Sequence, residues 1–147
     1  MQRLYLDVCT LCRPFDNQDY LRIKMEANSY FMIMNRIQKS EYELIISPVH
    51  IQEIKAISDL YEKYQLMELI NKYGKKAEVN LNKTRERTEQ FIKKGFGIAD
   101  AAHIAFAEAS ADVFISCDDK LLKKSLREKV KINVMNPMEF CIKEELK

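Results

Sequence analysis

Only three glycines and three prolines occur in 147 residues, which leaves little room for long loops and points to regular elements joined by short turns. Net charge is +2, too small to imply a polyanionic partner by itself. No apolar run approaches the roughly 20 residues a membrane-spanning helix needs, so no membrane partner is expected. No basic stretch followed by a long apolar segment opens the chain, so no secretory signal is expected either. The four cysteines, Cys9, Cys12, Cys117 and Cys141, are scattered among elements, and a reduced, cytoplasmic protein is the economical reading. There is no low-complexity segment, internal repeat or linker, so residues 1–147 are read as a single domain.

Against these absences, 47% of the residues are apolar and 31% charged, which excludes disorder and supplies a core. The chain opens on Arg3-Leu4-Tyr5-Leu6-Asp7-Val8, a short apolar run that reads as a buried central strand with Asp7 at its carboxyl end. Pro14-Phe15-Asp16-Asn17 is turn chemistry, with Asp16 or Asn17 as cap for a helix over about Gln18 to Lys39. Its stripe is Tyr20, Ile23, Ala27, Tyr30, Met34 and Ile37, widened by Phe31 and Ile33, with Arg22 and Glu26 elsewhere on the helix. Glu43 to Ser47 reads as a second strand. Pro48 to Ile57 follows as a helix, and a further helix runs from Ser58-Asp59 to about Lys72, stopped by Gly74.

Ala77 to Leu81 is ambiguous and extended at best; Asn82 then caps a helix over Lys83 to Lys94 that Gly95 ends. The Ala-rich run from Ile98 to Ala109 is a helix, Val113 to Cys117 a strand, Lys120 to Arg127 a helix and Lys131 to Met135 a strand. Asn136-Pro137-Met138-Glu139 caps a final helix. Strands separated by helices imply an α/β fold with a parallel sheet covered on both faces.

Four acids stand out by position. Asp7 ends the first strand, Glu53 lies early in the helix after the second, Asp100 is in the first turn of the Ala-rich helix, and Asp118 follows the Val113 strand. In an open α/β sheet these places share one edge, where ligands bind. Crowded carboxylates raise one another's pKa, and a divalent cation relieves that cost. All-oxygen ligands favour Mg²⁺ or Mn²⁺, and the implied chemistry is phosphodiester hydrolysis. Taken singly, Asp118 reads as an N-cap and Asp100 as a first-turn acid; the joint placement carries the case.

These segments resemble the PIN domain family and its VapC-type toxins. Leu4-Tyr5-Leu6-Asp7 resembles the opening strand and first acid, and Ser47 to Ile54 the segment bearing the Glu. Gly97 to Ala105 resembles the Asp-x-x-His-x-Ala helix, and Ile115-Ser116-Cys117-Asp118-Asp119-Lys120-Leu121 the Thr-x-Asp-x-x-Leu segment, with Ser116 in place of Thr. The resemblance implies a three-layer α/β/α fold with a five-stranded parallel sheet of order 3-2-1-4-5. It also implies a Mg²⁺- or Mn²⁺-dependent endoribonuclease with catalytic, metal-holding Asp7, Glu53, Asp100 and Asp118. An RNA substrate, a cognate antitoxin and a homodimer are implied with it. Asp119 is the reserve for Asp118. A hydroxyl that many members carry after the first acid is missing in Asp7-Val8-Cys9, although Thr10 is close.

Other readings stay open. A PIN-like module that binds RNA or protein without cutting is the main alternative. Cys9-Thr10-Leu11-Cys12 is a C-x-x-C after a strand, so thiol–disulfide exchange with an unusually acidic Cys9 is a remote one. A zinc centre has too few ligands, with Cys117 and Cys141 single and two histidines, His50 and His103, read as structural. Arg13 is a candidate phosphate contact. Of two basic clusters, that of Lys120, Lys123 and Lys124 begins beside Asp118 and is the better candidate to hold an RNA backbone.

Overall fold

The computed structural model describes all residues, Met1–Lys147. Strand β1 (Gln2–Leu6) leads into a short helix α1 (Val8–Cys12) and a single 3-10 turn over Arg13–Phe15. There follow α2 (Leu21–Gln38), β2 (Tyr42–Ile46), α3 (Pro48–Lys55), α4 (Leu60–Tyr73) and β3 (Gly74–Lys76). The rest of the chain is α5 (Leu81–Lys93), α6 (Ile98–Ser110), β4 (Val113–Ile115), α7 (Asp119–Arg127), β5 (Asn133–Met135) and α8 (Pro137–Lys143).

The five strands form one all-parallel sheet of order β3-β2-β1-β4-β5, as expected. Strand alternation divides the core. Leu4 and Leu6 of β1 face one layer with Ile33, Ile54, Ile70 and Phe140, whereas Tyr5 faces another with Phe91, Ile104 and Phe114. Burial on both faces makes β1 the central strand, with Leu4, Tyr5 and Leu6 wholly enclosed. The order reverses between β1 and β4, so the carboxyl ends of these two strands form the switch point.

Several local expectations are corrected. The segment after Asp7, which has no periodicity to mark it, is helical because Asp7 caps it. The third strand is Gly74–Lys76 and not Ala77 to Leu81. Gly74 ends α4 as expected and also starts the strand, and it is glycine because a Cβ there would lie 2.5 Å from both the Ile70 carbonyl oxygen and Ile46 Cγ1. Gly95 ends α5 as expected, at φ +94°. Helix α5 is capped by Asn80 rather than Asn82, its side chain accepting from Lys83 N–H at 3.0 Å. Tyr20 precedes α2 and is 64% exposed, and Phe31 points outward, so neither belongs to the core stripe. Neither Asp16 nor Asn17 caps α2. Conversely, Glu26, placed off that stripe, is wholly buried.

Candidate functional site

Asp7 follows β1 at the switch point, and its backbone N–H still bonds to the Ile115 carbonyl of β4 at 3.2 Å. Its carboxylate caps α1. Oδ1 accepts from Thr10 N–H at 3.1 Å, from the Thr10 hydroxyl at 2.7 Å and from the Cys9 thiol at 3.1 Å. Three donors on one oxygen fix the group and leave Oδ2 without a protein donor. Thr10 thus supplies the hydroxyl support that position 8 lacks, a role that only the helical turn after Asp7 makes possible.

Asp118 follows β4 in the same way. It caps α7, with Oδ1 accepting from Lys120 N–H at 3.0 Å and Leu121 N–H at 3.2 Å. Its own N–H donates to the buried Ser116 hydroxyl at 3.0 Å, which holds the turn. Asp118 Oδ2 is likewise spare. Asp119 is not: both its oxygens are taken by Arg22, at 2.6 Å each.

Glu53 reaches the same region from α3. Its side chain, 37% exposed, accepts from His103 Nε2. In the neutral ring Nδ1 of His103 then accepts the Tyr5 hydroxyl at 2.6 Å, and Tyr5 in turn accepts the Ser47 hydroxyl at 2.7 Å. His50 closes the network, donating from Nε2 to the Leu6 carbonyl at 2.7 Å and accepting Ser47 N–H on Nδ1 at 3.0 Å. Burial, and then His103, lower its pKa to about 3, with the hydrogen bond to the Leu6 carbonyl opposing. Both histidines are structural, as read from the sequence, but His103 also orients Glu53. Tyr5 and Ser47 were not singled out; no local pattern marks a strand tyrosine as part of such a chain.

Asp100, in the first turn of α6, lacks the hydrogen bonds that fix the other three. Its pKa is raised, first by burial, then by Asp118 and Asp7, with His103 opposing and Glu53 adding to the rise. Asp118, Asp7 and Glu53 are thus each within electrostatic reach of Asp100. No three Asp, Glu, His or Cys side chains stand close enough to grip one ion together. An ion here would therefore be held by one or two carboxylates directly and by the rest through water, which is the habit of Mg²⁺. The spare Oδ2 atoms of Asp7 and Asp118 and the unbonded Asp100 carboxylate are the oxygens such an ion would meet.

The neighbouring candidates separate. Arg13 is engaged by Asp16 at 2.8 Å and Glu26 at 3.0 Å, so its charge is already matched within the chain. Lys124 donates to the Gly95 carbonyl and lies over the Phe96 ring at 5.1 Å, tethering the α5–α6 turn. Lys120 and Lys123 remain exposed and without an ion-pair partner. The redox reading finds no support. All four cysteines are free, but burial and the Asp7 carboxylate push the Cys9 thiol pKa well up rather than down. Burial, and then Glu62, push Cys12 up to about 12. A cavity of about 640 Å³ lies between α3, α4 and β3, lined by Ile51, Gln52 and Lys55, but none of the four acids borders it.

No helix is long and apolar enough to cross a membrane. No family model matches the sequence, and no curated protein matches it. Among solved structures, FitAcB from Neisseria gonorrhoeae is similar at 14% identity and a TM-score of 0.55, over 91% of this chain and 97% of that one. VapBC2 from Rickettsia felis, bound to a DNA fragment from their promoter, is similar at 12% identity and a TM-score of 0.59, over 91% of this chain and 98% of that one. At such identities the likeness is one of architecture: the chain has the PIN-like α/β/α fold of these two assemblies, along nearly its whole length.

Proposed function

We propose that the protein is a Mg²⁺- or Mn²⁺-dependent endoribonuclease, the toxin partner of a cognate antitoxin, acting as a single cytoplasmic domain and as a homodimer. What supports the reading is the placement of Asp7 and Asp118 after the two strands of the β1–β4 switch point, with the Asp100 carboxyl raised above its ordinary pKa by burial first and then by Asp118, Asp7 and Glu53. The likeness to VapBC2 and FitAcB in fold supports the toxin–antitoxin part of it. The four free thiols agree with a reducing compartment.

Asp7, Glu53, Asp100 and Asp118 would hold the ion, directly or through water. When bound, it supplies a Lewis acid for a phosphoryl oxygen and activates water for attack on phosphorus. Asp7 and Asp118 present fixed oxygens, because each is locked by the helix it caps. His103 orients the Glu53 carboxylate. Ser116 holds the turn that aims Asp118. Lys120 and Lys123 lie in the first turns of α7 beside Asp118 and suit an RNA backbone, whose phosphates attract exposed lysines.

Incubation of the pure protein with RNA and Mg²⁺ or Mn²⁺ should give cleavage that EDTA abolishes and Asp7→Asn reduces by at least 100-fold, on the order of the loss for a group acting in the transition state. Bound RNA without cleavage in the wild-type protein would instead establish the non-cutting module. Equal cleavage by Asp7→Asn would remove the proposed site.

A further inference from the structure

Glu26 is wholly buried on α2, yet only one of its carboxylate oxygens is hydrogen-bonded. Oε1 accepts from Arg13 Nε at 3.0 Å. Oε2 has no hydrogen-bond partner and lies 3.6 Å from Arg22 Nε. A buried carboxylate with a bare oxygen is costly, and apolar residues often replace buried ion pairs at no loss of stability. A buried pair of this kind is weak evidence for stability, which leaves the charge to be explained.

The two arginines point to the explanation. Arg13 is the first residue after α1, the helix that Asp7 caps. Arg22 grips Asp119, the first residue of α7, the helix that Asp118 caps. One carboxylate therefore ties down both helices whose caps are the central acids. Because Asp7 and Asp118 are each bonded to their own helix's N–H groups, wherever the helices sit, the carboxylates sit.

We propose that Glu26 is a positioning residue for the carboxylate site, setting the spacing of Asp7 and Asp118 through Arg13 and through the Arg22–Asp119 pair. The proposal rests on the metal-site reading above. It also assigns Asp119 a part: it is the outer link of this chain rather than a fourth acid facing the ion.

The test is Mn²⁺ affinity, read from the free-ion signal in electron paramagnetic resonance on the full chain, well below the melting temperature and without RNA. Glu26→Gln, which keeps shape and removes charge, should weaken Mn²⁺ binding about 10-fold, as loss of a supporting group does at other metal sites, while the far-ultraviolet circular dichroism is unchanged. Asp119→Asn should weaken it less, and the double variant should bind no worse than Glu26→Gln alone, because both act through one chain. Wild-type affinity in folded Glu26→Gln overturns the proposal, since a purely structural role would lower the melting temperature only. Additive losses also overturn it, because Asp119 would then meet the ion itself. If Glu26→Gln does not fold, Arg22→Gln decides: a loss equal to that of Asp119→Asn supports the proposal, and no loss overturns it. Absence of Mn²⁺ binding in the wild-type protein removes the metal-site reading and the proposal together, which separates that failure from the others.

Discussion

Glu53 is held by a buried chain of imidazoles and hydroxyls, whereas Asp118 stands at the start of a helix tied by guanidinium–carboxylate pairs. The first chain runs from Glu53 through His103 and Tyr5 to Ser47 beside His50, and it lies inside the α3–α6 flank. The second runs from Arg13 through Glu26 and Arg22 to Asp119, half of it in solvent on the α2–α7 flank. Hydrogen bonds between hydroxyls and imidazoles work at low dielectric but depend on every donor having its acceptor. Ion pairs tolerate water but weaken with salt. The two flanks should therefore fail under different stresses.

The largest difference concerns pH. Folding lowers the pKa of His50 from 6.5 to about 3, so the unfolded chain takes up a proton that the folded chain refuses. Stability contributed by the neutral ring is present above pH 6.5 and falls as pH drops towards 3. Between pH 7 and pH 4 the loss should be about 3 kcal/mol, and His50→Gln should flatten the denaturant-derived stability curve over that window by a similar amount. A curve of unchanged slope in His50→Gln would show that the α3–α6 flank does not depend on a neutral ring.

Next comes removal of one hydroxyl. Tyr5→Phe leaves Ser47 and His103 each short of a buried partner, which should cost about 2 kcal/mol in chemical denaturation. It should also loosen Glu53 and weaken Mn²⁺ binding about 10-fold. A folded Tyr5→Phe that binds Mn²⁺ as the wild type does would leave the chain structural and no more.

The ionic flank should show smaller effects on stability. Arg22 and Asp119 are both about half exposed, so Asp119→Asn should cost roughly 0.5 kcal/mol at low salt and almost nothing in 1 M NaCl. A salt-independent cost would mean that this flank is not held by charge. Smallest is the thiol: Cys9, with its pKa raised by burial and by Asp7, should react with iodoacetamide at pH 8 more slowly than a free cysteine.

The sequence made four of the five strands readable, and two of the four acids follow apolar runs, Asp7 directly after Leu6 and Asp118 three residues after Ile115. It hid β3, because Gly74-Lys75-Lys76 is an edge strand with no apolar pattern and its pairing to β2 is wholly non-local. It hid α1, since five residues carry no period, and only the cap geometry of Asp7 makes them helical. The parallel order 3-2-1-4-5 came from the family resemblance and is the observed one. The acids were visible because strand ends and helix starts are marked locally. What holds them was not: Tyr5 to His103, Glu26 to Arg13 and Arg22 to Asp119 join residues far apart in the chain, and polarity on a helix does not reveal burial.

The central claim is that four carboxylates at the β1–β4 switch point form a divalent-cation site. Isothermal titration of the wild-type protein and Asp7→Asn with Mn²⁺ at pH 7 addresses it most directly. The expected result is saturable binding by the wild type and a loss of at least 10-fold in affinity in the variant. No binding by the wild type at millimolar Mn²⁺, or equal binding by Asp7→Asn, would contradict the claim.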